Sequence, residues 1–192
     1  MTRTHDRPSD TRLIAFTDGA CDPNPGVGGW GYLIIDTQDD AREYKYGGVR
    51  QATNNRMELT AVAEALEGAW DDEITIITDS QLIVKTFTQW INGWKRRGWR
   101  KFDGGEIKNL DLVQRIHRAQ LEMTVTFQWI RGHSGKSGNE QADRLAALGR
   151  RELLMLKVDE HSSVLDDHVQ FRDMVKQELE RMYGCDARKA SI

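Results

Sequence analysis

The chain has 192 residues and a formal net charge of −3, with 39% hydrophobic and 30% charged residues. No stretch approaches the roughly 18 apolar residues of a membrane span, and the opening dozen, MTRTHDRPSDTR, lacks the apolar core of an export signal. Two distant cysteines, Cys21 and Cys185, exclude a disulfide framework and fit a reducing cytoplasm.

Three strands come first. Leu13–Thr17 is an apolar run that stops at Asp18-Gly19, Trp30–Ile35 follows a Gly/Pro-rich turn, and Arg42–Val49 alternates loosely. Short turns between them predict an antiparallel meander. Leu59, Val62, Ala63, Leu66 and Ala69 then share one helix face, with Asn54 and Asn55 placed to cap it. The short strand ITIIT, residues 74–78, precedes a helix running from Ser80 toward Trp90, and a further helix spans Ile107 to Leu121. VTFQWI, residues 125–130, reads as a strand, residues 131–139 as a glycine-rich loop, and Glu140–Leu148 as a short helix. Strands joined through helices return parallel to the same sheet. The expected fold is α/β: five strands in a mixed sheet, three antiparallel then two parallel, with helices on both faces. The expected domains are a flexible start over 1–11, a catalytic domain over 12–149, and a helical extension with a polar tail over 150–192. In that extension Phe171, Val175, Leu179 and Met182 keep helical spacing. It either packs on the domain or serves as a protein contact.

Four carboxylates fall at element ends. Asp18 and Asp79 follow strands in matching settings, FTDG and ITDS. If those strands are parallel neighbours, both side chains emerge at one carboxyl edge, where open α/β sheets place ligands. Glu58 is expected in the first turn of the first helix, at the rim of its buried face, and Asp143 in the first turn of the last. Each has a purely structural reading: a turn at Asp18-Gly19, a capping box from Asn55 to Glu58, a helix cap at Asp79-Ser80, and a complement to a helix N-terminus at Asp143. Together they point to metal-assisted phosphoryl transfer. Convergent carboxylates need cations beside them, and oxygen-only donors suit Mg²⁺, two per site with substrate bound, or Mn²⁺. His133, in the glycine-rich loop, can move protons near neutral pH or assist product release.

Between Lys85 and Arg118 the local balance is +6, against the acidic whole. WINGWKRRGWRK, residues 90–101, interleaves Trp90, Trp94 and Trp99 with Lys95, Arg96, Arg97, Arg100 and Lys101. Cations there can meet phosphates and rings can pack on sugars or bases, although some of the tryptophans can equally pack the segment itself. Thr53, Asn54 and Asn55 offer short polar groups suited to a ribose 2′-hydroxyl beside Glu58.

The ordered set FTDGACDPNPGVGGWG, ATNNRMELTAVAEAL, TDSQ, QWINGWKRRGW, KNLDL and WIRGHSGKSGNEQAD resembles the bacterial form of the type I ribonuclease H family over about residues 12–149. The resemblance implies Mg²⁺-dependent hydrolysis of the RNA strand of RNA–DNA hybrids, leaving 3′-hydroxyl and 5′-phosphate ends. It implies that Asp18, Glu58, Asp79 and Asp143 bind metal and that His133 assists turnover. Cys21, Asn24, Asn55 and Gln81 match RNA-strand contacts, and Thr53 and Asn109 match part of a pocket for a DNA-strand phosphate. Gln51 falls where some members carry an arginine, with Arg50 adjacent. The expected partner is the hybrid duplex and the expected state a monomer. A non-catalytic hybrid-binding module and a same-fold nuclease with another substrate remain as alternatives.

Overall fold

The computed structural model describes residues 12–132 and 137–159, together with Met174, Gln177 and Leu179–Arg181. Five strands form one mixed sheet in the order β3-β2-β1-β4-β5. They are β1 (Leu13–Cys21), β2 (Gly26–Asp36), β3 (Arg42–Ala52), β4 (Glu73–Thr78) and β5 (Thr124–Trp129). The first three are antiparallel, and β4 and β5 join parallel, as expected.

Helices cover both faces. Leu13, Ala15, Ile74 and Ile76 pack toward α1 (Asn54–Gly68), whose Met57, Val62 and Leu66 are buried. Behind it, α4 (Leu110–Glu122) adds Leu112, Val113 and Ile116 to the same core. Between them in sequence, α2 (Gln81–Lys85) passes through a π-helical turn (Thr86–Trp90) into α3 (Ile91–Arg96). Ile83, Phe87 and Ile91 are buried at i+4 steps along this run, which turns one face to the core. On the opposite sheet face lies α5 (Ser137–Asp159), with Leu145 and Leu148 against Leu33, Tyr44 and the distant Leu179.

Several boundaries differ from expectation. β1 does not stop at Asp18; it pairs with β2 through Cys21, while its parallel pairing with β4 ends at Phe16. β2 begins at Gly26 because the glycine-rich stretch read as a turn is strand. Its bare backbone is required: a Cβ at Gly29 would strike Ala146 O and one at Gly31 would strike Leu145 Cβ, so α5 rests directly on the sheet. α1 is capped by Thr53, whose Oγ1 accepts from Arg56 N–H at 3.3 Å, in place of Asn54 or Asn55. Ile107 to Asn109 precede α4 instead of opening it, with Asn109 in the left-handed region at φ 55°. α5 starts at Ser137, inside the expected loop, and crosses the expected boundary at 149–150 without a break. A Cβ at Gly149 would meet the Gly47 carbonyl, so that glycine serves helix-to-strand contact and does not end the helix.

Candidate active site

Strand register brings the first two carboxylates together. Phe16 pairs with Ile77, so two residues further on Asp18 comes level with Asp79. Side chains alternate along a strand: Ala15 and Thr17 point to the α1 face, and Phe16 and Asp18 to the α5 face. There Gly138 of α5 presses on the Phe16 ring, close enough that a Cβ would clash. This contact leads α5 past the end of β1 and brings in Asp143, in the second turn of the helix where the first was expected.

Burial and the charges of Asp79, Asp143 and Glu58 push the Asp18 carboxyl up to about 7, against a donated hydrogen bond from Gly19 N–H at 2.7 Å. All four carboxylates therefore share one electrostatic field.

Glu58 opens the second turn of α1, and its oxygens are both held: Oε1 accepts from Asn54 Nδ2 at 3.0 Å and Oε2 from Ser80 Oγ at 2.6 Å. Burial raises its carboxyl and Asp79 adds to the rise, while these two bonds oppose it. The capping-box reading of Glu58 is thereby replaced, since its partners are side chains on two elements. Ser80 is the N-cap residue of α2 but makes no side-chain cap bond; its hydroxyl serves Glu58. Asp79 lies against Gly132, where a Cβ would collide with Oδ2, and its carbonyl accepts from Trp129 Nε1 at 2.9 Å.

Among the described residues no three or more His, Cys, Asp or Glu side chains form a ready-made metal cage. Magnesium is commonly held by one or two carboxylates, with waters and substrate phosphates completing its shell. Oxygen-only donors and mutual repulsion fit such a hard cation. Asp18, Glu58, Asp79 and Asp143 are the residues that would hold it.

A groove of about 510 Å³ beside this edge is lined by Asn24, Thr53, Asn55, Lys108 and Asn109. Residues matched separately to RNA and DNA contacts thus border one space. Asn24 comes from the β1–β2 turn and accepts Asn54 N–H at 3.2 Å. Arg56 pairs with Asp111 and donates from Nη1 to Asn109 Oδ1 at 3.3 Å, leaving the amide N–H groups of Asn109 for an acceptor. A second cavity of about 190 Å³ continues from it between Trp90, Trp94, Leu82 and Lys101. Trp90 and Trp94 stand 5.8 Å apart.

Lys95, Arg96 and Arg97 are exposed, as are Gln81 and Gln51. Cys21, at the end of β1, directs its thiol to the carbonyls of Pro23 and Ala52, both at 3.3 Å. Trp99 lines neither cavity; it is half-buried and packs at a tilt of 58° against His117, ring centroids 5.7 Å apart. His133 lies outside the described residues.

Ser80, Lys108 and Arg56 are contributors that sequence reasoning did not single out. Ser80 resembled an ordinary cap. Lys108 and Arg56 carried one signal each, adjacency to Asn109 and to Asn55.

The sequence profile of the RNase H family matches residues 10–151. Ribonuclease H of Methylorubrum extorquens is 50% identical over 144 residues, covering 74% of this chain and 62% of the relative, so the chain spans less than two thirds of that protein. Ribonuclease H of Jannaschia sp. is 50% identical over 143 residues, covering 71% of this chain and 90% of the relative. Among solved structures, LC9-RNase H1, described as a type 1 RNase H with the type 2 active-site motif, superposes with a TM-score of 0.65 at 31% identity, covering 76% of this chain and 74% of that one. With the sheet order, the carboxylate edge and the adjoining groove, these matches establish that the chain belongs to the RNase H family.

Proposed function

We propose that the chain is an endoribonuclease that hydrolyses the RNA strand of RNA–DNA hybrids, leaving 3′-hydroxyl and 5′-phosphate ends. The observation that carries this reading is the set of four carboxylates that Asp18 forms with Glu58, Asp79 and Asp143, next to a groove of amides and one lysine. Mg²⁺, with Mn²⁺ as an alternative, supplies when bound the activation of water and the stabilisation of the leaving oxygen, two ions serving one phosphodiester.

The protein's own groups do the rest. Ser80 and Asn54 fix both Glu58 oxygens, so that carboxylate is already in place when substrate arrives. Asn24, Asn55 and Asn54 present neutral amides to the RNA strand, where a 2′-hydroxyl both donates and accepts. Thr53, Lys108 and Asn109 hold a phosphate of the DNA strand, the cation of Lys108 standing where Gln51 offers none. Trp90, Trp94 and the cations of residues 95–101 extend the grip along the duplex. His133 moves protons during turnover.

The chain acts as a monomer in the cytoplasm on this reading. Leu179 packing on the chain's own Leu33 and Tyr44 supports an extension that folds back on its domain. None of the helices among the described residues is long and apolar enough to cross a membrane.

The test is cleavage of an end-labelled RNA–DNA hybrid with Mg²⁺ and with EDTA. Cutting confined to the hybrid RNA and lost in EDTA is expected. Equal cutting of single-stranded RNA, or cutting that persists in EDTA, overturns the reading.

A further inference from the structure

The β1–β2 turn, residues 22–25, carries Asn24 to the groove, yet all four of its side chains are exposed and none anchors it in a core. Its closing main-chain bond, Asp22 N–H to Val27 O, is long at 3.4 Å. Cys21 Sγ and the Asn24–Asn54 bond tie it toward β3 and α1. A further tie comes from the other side of the sheet. Arg150 of α5 donates from Nη2 to Asp22 Oδ2 at 3.0 Å, across 128 positions of sequence.

The base of this arginine is fixed. Its main chain lies so close to β2 that a Cβ at Gly29 would meet Arg150 N. Its Nε is buried, although the side chain as a whole is 29% exposed. The outer edge of the guanidinium reaches Asp22. Arg150 also follows Asp143 by seven residues, about two helical turns, which sets both on one face of α5. One helix face therefore offers a carboxylate to the metal-binding edge and a guanidinium to the turn that presents Asn24.

We propose that Arg150 is a positioning residue for the hybrid: by pairing with Asp22 it holds the β1–β2 turn in the pose that brings Asn24 to the RNA strand. The pair also offsets the charge of an exposed carboxylate two residues before Asn24. The proposal rests on the reading of Asn24 as an RNA contact.

Steady-state cleavage of an RNA–DNA hybrid by the full chain tests it, with Arg150→Ala, Arg150→Lys, Asp22→Asn, the Arg150→Ala/Asp22→Asn double variant and Asn24→Ala. For a partly exposed pair, Arg150→Ala is expected to raise KM about three- to fivefold and to change kcat by less than about twofold. Arg150→Lys restores most of the loss. In the Asp22→Asn background, Arg150→Ala adds less than about 1.5-fold, because the pair is already gone.

A fall in Tm with KM unchanged would make Arg150 a structural anchor only and overturns the proposal. A full KM effect that survives in the Asp22→Asn background would mean direct contact with phosphate, and also overturns it. Asn24→Ala separates the two levels. If KM does not move with Asn24→Ala, the reading of the turn fails and takes the proposal with it; if it rises while Arg150→Ala is inert, the proposal alone fails.

Discussion

Replacing Asp18 by asparagine should stabilise the metal-free protein while abolishing cleavage. Burial and three neighbouring carboxylates raise the Asp18 carboxyl from 3.8 to about 7 in the folded state. Above both values the folded protein holds a charge that the unfolded chain solvates freely. A shift of about three units, at 1.36 kcal/mol each, sets a ceiling of about 4 kcal/mol, and partial solvent access reduces it toward about 2 kcal/mol. The sign follows from proton linkage. A carboxylate with a raised folded value gives its full stability below the unfolded value of 3.8 and loses it progressively until pH passes about 7. The gain from Asp18→Asn is therefore greatest at pH 8 and shrinks toward zero near pH 4. For a chain of this size, about 2 kcal/mol amounts to about 4–8 °C in Tm at pH 8. Thermal melts of both proteins in EDTA at pH 4.5, 6 and 8 measure it directly. Repeating the pH 8 melt in Mg²⁺ should narrow the gap, because ion binding to the folded wild type adds stability that the variant lacks. A gain that is absent at pH 8, or equal at pH 4.5 and pH 8, refutes the electrostatic reasoning.

Three other substitutions probe separate parts of the fold. Ser80→Ala removes the 2.6 Å bond to Glu58; kcat should fall about tenfold, the loss of a charge-assisted bond, and the acid limb of the pH–rate profile should move to higher pH because that bond lowers the Glu58 carboxyl. Gly132→Ala drives a methyl group into Asp79 Oδ2. Activity should drop by more than about tenfold through displacement of that carboxylate, with an unchanged far-ultraviolet circular dichroism spectrum. Leu179→Ala empties a buried position against Leu33, Tyr44 and Leu145; urea unfolding should show a loss of about 2–3 kcal/mol, and an unchanged midpoint would mean that the extension is not docked in solution.

The strands bearing Asp18 and Asp79 were legible because both are apolar runs ending in the same short phrase, and parallel pairing then levels the two carboxylates. Glu58 was legible as a residue at the rim of a buried helix face. What holds it was not, because Ser80 serves a partner 22 positions away and a hydroxyl after a strand reads equally well as a cap. The start of β2 was hidden because Gly29 and Gly31 present no side chain whose alternation could be seen; their need appears only with α5 lying on them. Gly149, just past the expected end of the last helix, is a similar case. A glycine after an apolar run signals a helix end, yet here it relieves contact with the Gly47 carbonyl while the helix continues. The tryptophans of residues 90–99 were expected to divide between binding and packing, but which would do which was not legible: Trp90 and Trp94 border a cavity, while Trp99 packs at a tilt against His117.

The contact of α5 with the sheet through Gly29, Gly31 and Gly149 bears on how the protein tolerates change. Where two elements are spaced by interlocking side chains, each core substitution alters their separation a little. Here the gap is set largely by main chain against main chain, a spacer that mutation of neighbouring leucines or valines cannot lengthen or shorten. Asp143 rides on that helix and Asp18 on that sheet, so the interval between them is insulated from drift in the hydrophobic core. The fold can thus accept extensive apolar replacement elsewhere while its carboxylates keep their mutual placement, and the vulnerable positions become the small residues that carry no chemistry at all.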